Sequence, residues 1–156
     1  MNVLDFVTKT KQKYNDIRNI EHVAETENIL LLYMDIPNNI EGFTCSLNDT
    51  LTIVLKKGLL RCRQIETFWH EYYHIYFSVG NYETAKWFLG SQIPFDCRDE
   101  KKADTFAAFI LIDELPPECD VYTIMDDFNV SQHIAEVRML VARSLLYKIG
   151  SRLFRP

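Results

Sequence analysis

Apolar side chains recur along this sequence with two different periods, and the places where the period changes outline its elements. Leu4, Val7, Lys11, Tyr14 and Ile17 are spaced three or four apart, which predicts a helix over 4–18 with lysine and arginine outward. A second short helical piece is expected at Ile20–Ala24. Asn28–Asp35 is then a compact apolar run and reads as a buried strand. Pro37-Asn38-Asn39 is turn chemistry. Ile40–Leu47 and Leu51–Leu55 predict two more strands, joined as a hairpin at Asn48-Asp49. Lys56-Lys57-Gly58 ends the third strand.

The second half of the chain is helical. Gln64–Val79 carries Ile65, Phe68, Trp69, Tyr72, Tyr73, Ile75, Tyr76 and Phe77, apolar almost all round, so a central helix is expected. Gly80-Asn81 closes it; Tyr82–Leu89 predicts a short amphipathic helix and Gly90–Pro94 a loop. Asp99–Ile112 predicts a helix with acidic residues in its first turn, where they suit the dipole, stopped by Pro116-Pro117. Glu118–Phe128 is expected to be a short acidic helix, and Ser131 to cap a last one reaching the neighbourhood of Gly150. Strands grouped together between helices predict an α+β fold with a small, mostly antiparallel three-stranded sheet. No Pro/Gly/Ser linker interrupts the 156 residues, so a single domain over 1–156 is expected.

Composition changes this picture mainly by exclusion. Apolar residues are 47% of the chain and charged residues 25%, the balance of a globular domain with a real core. The longest uninterrupted apolar run, Phe106–Ile112, is seven residues, far short of a membrane span. The opening MNVLDFVTKTKQKY has no apolar core of a secretory leader. A net charge of −5 opposes direct nucleic-acid binding, which needs a basic face. Cys45, Cys62, Cys97 and Cys119 are widely spaced, as free thiols of a reducing cytoplasm would be.

The candidate chemistry lies on the central helix, at His70-Glu71-Tyr72-Tyr73-His74. Positions i and i+4 of a helix are about 40° apart, so both imidazoles leave one face, one above the other. That spacing suits two nitrogen ligands on one Zn²⁺, with Glu71 beside the metal as a proton acceptor. A third ligand is required for a catalytic zinc. Asp96, Cys97, Asp99, Glu100 and Asp104 are candidates, with His22 and His133 more remote. Glu100 is preferred, because Glu100, Ala103, Asp104 and Ala107 share one helix face that is small apart from its carboxylates. Small residues let two helices approach closely, while Phe106, Phe109 and Ile110 are expected to point elsewhere into the core. Asp104, one turn from Glu100, is placed to hydrogen-bond a ligand histidine.

At these residues the chain resembles the ImmA/IrrE family of zinc metallopeptidases. The family pattern is H-E-x-x-H, some 25 to 30 residues, then E-x-x-A-[ND]-x-F-A-A-x-L-L. Here it stands as His70–His74 followed by Glu100-Lys101-Lys102-Ala103-Asp104-Thr105-Phe106-Ala107-Ala108-Phe109-Ile110-Leu111. A third element, aromatic-x-V-S and then A-x-x-R-[LM], matches Phe128-Asn129-Val130-Ser131 and Ala135-Glu136-Val137-Arg138-Met139. Two departures stand out. Tyr73 replaces the small residue usual before the second histidine, and Ile110-Leu111-Ile112-Asp113 replaces a Leu-Leu-Met-Pro ending, which implies a longer exit from that helix. The resemblance implies a zincin-like core built on the H-E-x-x-H and E-x-x-A-D helices. It also implies a cytoplasmic, stand-alone protease whose partner is a protein substrate, a helix-turn-helix repressor of a phage, mobile element or stress regulon.

The expected mechanism has zinc on His70, His74 and Glu100, and Glu71 as general base. Tyr72, Tyr73, Tyr76, Tyr82, Tyr122 and His133 are all open as oxyanion donors. The strand Leu51–Leu55 is expected to offer an edge to an extended substrate. Two other readings stand beside the protease: a zinc-bound protein that neutralises a repressor by binding alone, and a metal-free structural domain. Arg138, Arg143, Lys148, Arg152 and Arg155 follow the last acidic residue, Glu136; they read as a solvated helix face, with a docking surface as the sharper alternative.

Overall fold

The computed structural model describes residues 2–37, 39–77, 97–116 and 118–153. The expected helix Tyr82–Leu89, the turn at Gly80-Asn81 and the loop Gly90–Pro94 lie outside the described residues, as do Asp96 and Tyr82. The elements run α1 (Val3–Lys13), α2 (Ile20–Thr26), β1 (Leu30–Met34), β2 (Gly42–Leu47), β3 (Thr50–Lys56), α3 (Arg61–Phe77), α4 (Cys97–Leu111), α5 (Val121–Phe128) and α6 (Gln132–Leu153).

The first helix is shorter than its periodicity suggests. It ends at Tyr14, whose backbone is extended. Tyr14 is buried and Ile17 packs on the core from the turn that follows, so the apolar spacing outlasts the helix. The Ile17 carbonyl accepts the Trp69 indole N–H at 2.9 Å, which fixes this turn on α3. Asn19 then caps α2 by accepting the His22 N–H at 3.1 Å.

The sheet corrects one expectation. Its order is β1-β3-β2, with β2 antiparallel and β1 parallel to β3, so the three strands form a mixed sheet, not a mostly antiparallel one. The hairpin itself is where the sequence puts it: Asn48 (φ 49°) and Asp49 (φ 62°) take the left-handed conformations of a tight two-residue turn. What the local pattern does not reveal is which hairpin strand joins β1. Thr52, Ile53, Val54 and Leu55 are all buried, so β3 covers both of its faces and takes the centre. The Leu51–Leu55 strand is therefore no free edge; among the described residues it lies between β1 and β2.

One face of the sheet meets the helices through Ile53 and Leu55; the other carries a smaller cluster of Ile36, Cys45 and Val54. Thr44 pairs with Ile53 across the ladder, which turns it towards the helices. Gly42 is needed for close packing here, since a Cβ would stand 2.6 Å from the Thr67 methyl and 2.9 Å from the Val54 carbonyl.

As expected for a helix apolar on most sides, α3 is central; Phe68, Trp69, Tyr72, Tyr73 and Ile75 are buried. On α4, Ala103 and Ala107 are fully buried. Phe106 points into the core, as expected, and is fully buried there. It faces α3 and α1, with its ring centroid 5.7 Å from that of Tyr73, 6.3 Å from Tyr72 and 4.8 Å from Phe6. The exit from α4 has a visible anchor. Arg138 on α6 is buried, lies 4.1 Å over the Phe109 ring, and donates to the carbonyls of Ile112 (3.2 Å) and Asp113 (2.8 Å). Arg138 therefore does not belong to a basic docking face.

Candidate metal centre

Helix α3 sends His70 and His74 off one face, and α4 crosses against that face. The buried alanines of α4 allow the approach, and Glu100, one turn before Ala103, reaches across. His70 Nε2 lies 3.1 Å from His74 Nε2 and 3.1 Å from Glu100 Oε2; His74 Nε2 lies 3.4 Å from Glu100 Oε1. Among the described residues, this is the one group of three such side chains whose ligand atoms converge. The side chains are about one-sixth to one-third exposed (21%, 16% and 34%), so the cluster opens to solvent.

The donor set can be tested for fit. Tetrahedral zinc with bonds near 2.0–2.1 Å sets its ligand atoms roughly 3.3 Å apart. The Nε2–Nε2 separation of 3.1 Å lies close to that value, and each imidazole faces one Glu100 oxygen, His70 facing Oε2 at 3.1 Å and His74 facing Oε1 at 3.4 Å. Two imidazole nitrogens and a carboxylate form a donor set used by catalytic zinc. Three lone-pair atoms aimed at one point also repel unless a cation stands between them. Burial opposes the charge on His70, yet hydrogen bonds to Asp104 and Glu100, with the Glu71 charge nearby, raise its pKa to about 10. A proton and a metal ion compete for the same nitrogen.

Behind the cluster, Asp104 Oδ1 lies 2.8 Å from His70 Nδ1, the ring nitrogen turned away from His74. Its other oxygen lies 3.1 Å from His133 Nε2 on α6. Burial would raise the Asp104 carboxyl; the hydrogen bond from His70 and the charges of His70 and His133 hold it below the usual range instead. On the sheet side, Glu71 Oε2 accepts the Thr44 hydroxyl at 2.8 Å. Glu71 thus stands next to the cluster without joining it.

The remaining candidates separate. Asp99 is paired with Lys102 at 2.7 Å, and His22 is exposed on α2, outside the cluster. Tyr72 and Tyr76 hydroxyls both donate to Glu27 at 2.8 Å, towards α1 and α2, which removes them as oxyanion donors. Tyr73 is buried and stacks on Phe77 with centroids 4.6 Å apart, so its bulk is taken up without parting α3 from α4. Tyr122 is 70% exposed on α5. Thr44 is the polar contact that sequence reasoning missed. Its signal was strand alternation, a hydroxyl placed on the helix-facing side, but the sheet order had to be known to use it.

Comparison with protein-family models, with curated proteins and with solved structures returns no match to this chain. The fold and the site therefore stand on their own geometry: an α+β domain in which two helices bring His70, His74 and Glu100 together. Among the described residues, no helix is long and apolar enough to cross a membrane.

Proposed function

We propose that this chain is a zinc-dependent endopeptidase acting on a regulatory protein. The observation that carries the reading is the convergence of His70, His74 and Glu100 from two helices at separations suited to one Zn²⁺, with Glu71 beside them. His70 and His74 would hold the ion through Nε2, and Glu100 through its carboxylate. When bound, zinc supplies Lewis-acid polarisation of a carbonyl and an acidified water. Asp104 holds the His70 ring by Nδ1 and so presents Nε2 to the site. Glu71 takes the proton of the attacking water and returns it to the leaving amine. Thr44 steadies that carboxylate from β2.

The resemblance to ImmA/IrrE peptidases supports a helix-turn-helix repressor as the protein cleaved, and the charge of −5 fits an action on transcription without contact to DNA. The cytoplasm is the compartment this reading requires.

Glu71→Gln is the direct test. It should keep about one zinc per chain, by metal analysis, and lose cleavage of a helix-turn-helix repressor from the same genome by a factor of about a hundred or more. Unchanged turnover would end the catalytic reading. An intact but tightly bound repressor with the native chain would replace it with neutralisation by binding.

A further inference from the structure

We infer that His133 is a positioning residue for the metal centre, acting through Asp104 on His70; the inference rests on the zinc reading for its purpose but not for its geometry. His133 lies in the first turn of α6, and the helix start is fastened to α3. Ser131 donates its backbone N–H to the buried Glu66 carboxylate, and its hydroxyl accepts from Arg63 Nη1 at 2.8 Å. The base of α6 is thus registered against the same helix that carries His70 and His74. From there His133 Nε2 reaches Asp104 Oδ2 at 3.1 Å, while Asp104 Oδ1 reaches His70 Nδ1 at 2.8 Å.

A carboxylate held at one oxygen can turn about its side-chain torsions. A carboxylate held at both oxygens, from two helices, cannot. Asp104 is one-quarter exposed, so without His133 water would take the second oxygen and leave its orientation loose. His70 would then lose the fixed hydrogen bond through Nδ1 that turns its Nε2 towards His74 and Glu100. The opposing view is that His133, with a side chain 57% exposed, forms only a surface ion pair of little energetic weight. The two views differ in what they predict for His70, not in what they predict for stability.

The experiment combines zinc affinity, by competition with a chromogenic chelator, and two-bond proton–nitrogen NMR of the imidazoles in the metal-free protein. His133→Ala should weaken Zn²⁺ binding by about three- to tenfold, less than the roughly ten- to hundredfold expected for Asp104→Ala. It should have no further effect in the Asp104→Ala background, because its influence passes through that carboxylate. His133→Gln, which keeps an N–H near the Nε2 position, should restore most of the affinity. In the NMR spectrum, His133→Ala should broaden or shift the Nδ1 signal of His70. Native affinity with an unchanged His70 signal in His133→Ala would overturn the inference, as would an equal loss in the Asp104→Ala background. A native chain that binds no zinc, but whose His70 signal still responds to His133→Ala, would uphold the positioning role and end the zinc reading alone.

Discussion

Glu27 shows how much one side chain can organise. It ends α2, and its carboxylate accepts from Lys13 at 2.6 Å, from Tyr72 and Tyr76 at 2.8 Å each, and from the Tyr14 hydroxyl. Burial works against its charge, but those donors outweigh it and lower its pKa from 4.5 to about 2. The linkage sign follows. A folded-state pKa below the unfolded one means that the charged form favours folding, so the contribution is complete above 4.5 and lost as pH falls from there towards 2. Glu27→Gln is expected to destabilise the chain by about 1–3 kcal/mol near neutrality. It should also flatten the acid dependence of the urea midpoint across that window. A native-like slope in the variant would show that the carboxylate does not carry it. None of this was legible in the sequence, where Glu27 is one more acidic residue after a short helix. Two of the tyrosines it binds, Tyr72 and Tyr76, looked like candidates for catalysis because only the fold shows which side of α3 they leave.

At the scale of elements, α3 and α4 make the site, and their contact depends on what is missing from α4. Ala103 and Ala107 are fully buried where the two helices approach. Ala107→Leu should therefore cost about 1–3 kcal/mol through overpacking. It should also weaken zinc binding more than a surface substitution of equal cost, because it moves Glu100 away from both histidines. Thermal melts and a zinc titration on the same preparation would check this; lost stability with native affinity would show that the spacing of α3 and α4 does not set the site. These two helices were legible because their signals are local: an i, i+4 histidine pair, and a small-residue face carrying carboxylates. The sheet was less so. Its hairpin announces itself in Asn48-Asp49, but β3 inserts beside β1 in parallel, and no local pattern encodes which strand takes the centre.

For the whole molecule, the proposed metal joins segments far apart in sequence, His70 and His74 on one helix and Glu100 on the next. A ligand that binds the folded chain alone stabilises it by mass action, by about 2.7 kcal/mol at roughly a hundredfold excess over Kd. Zinc should therefore raise the melting temperature of the native chain, and a chelator should reverse the rise. His74→Ala should remove the response while leaving the metal-free melt nearly unchanged, and an undiminished response in that variant would place the ion elsewhere. Among the described residues, the sequence by itself located the hairpin turn and the helices, though not the early end of α1, because periodicity, caps and turn residues act over a few residues. It also marked His70, Glu71, His74, Glu100 and Asp104 as chemistry, because their spacing is set by the helical turn. Only the tertiary structure decided that β3 is central, that Arg138 is an internal cap, that Glu71 leans on Thr44, and that His133 closes on Asp104. Those contacts join residues 25 to 30 positions apart or reflect the order of strands, and such pairings are chosen by how buried surfaces fit together rather than by any pattern along the chain.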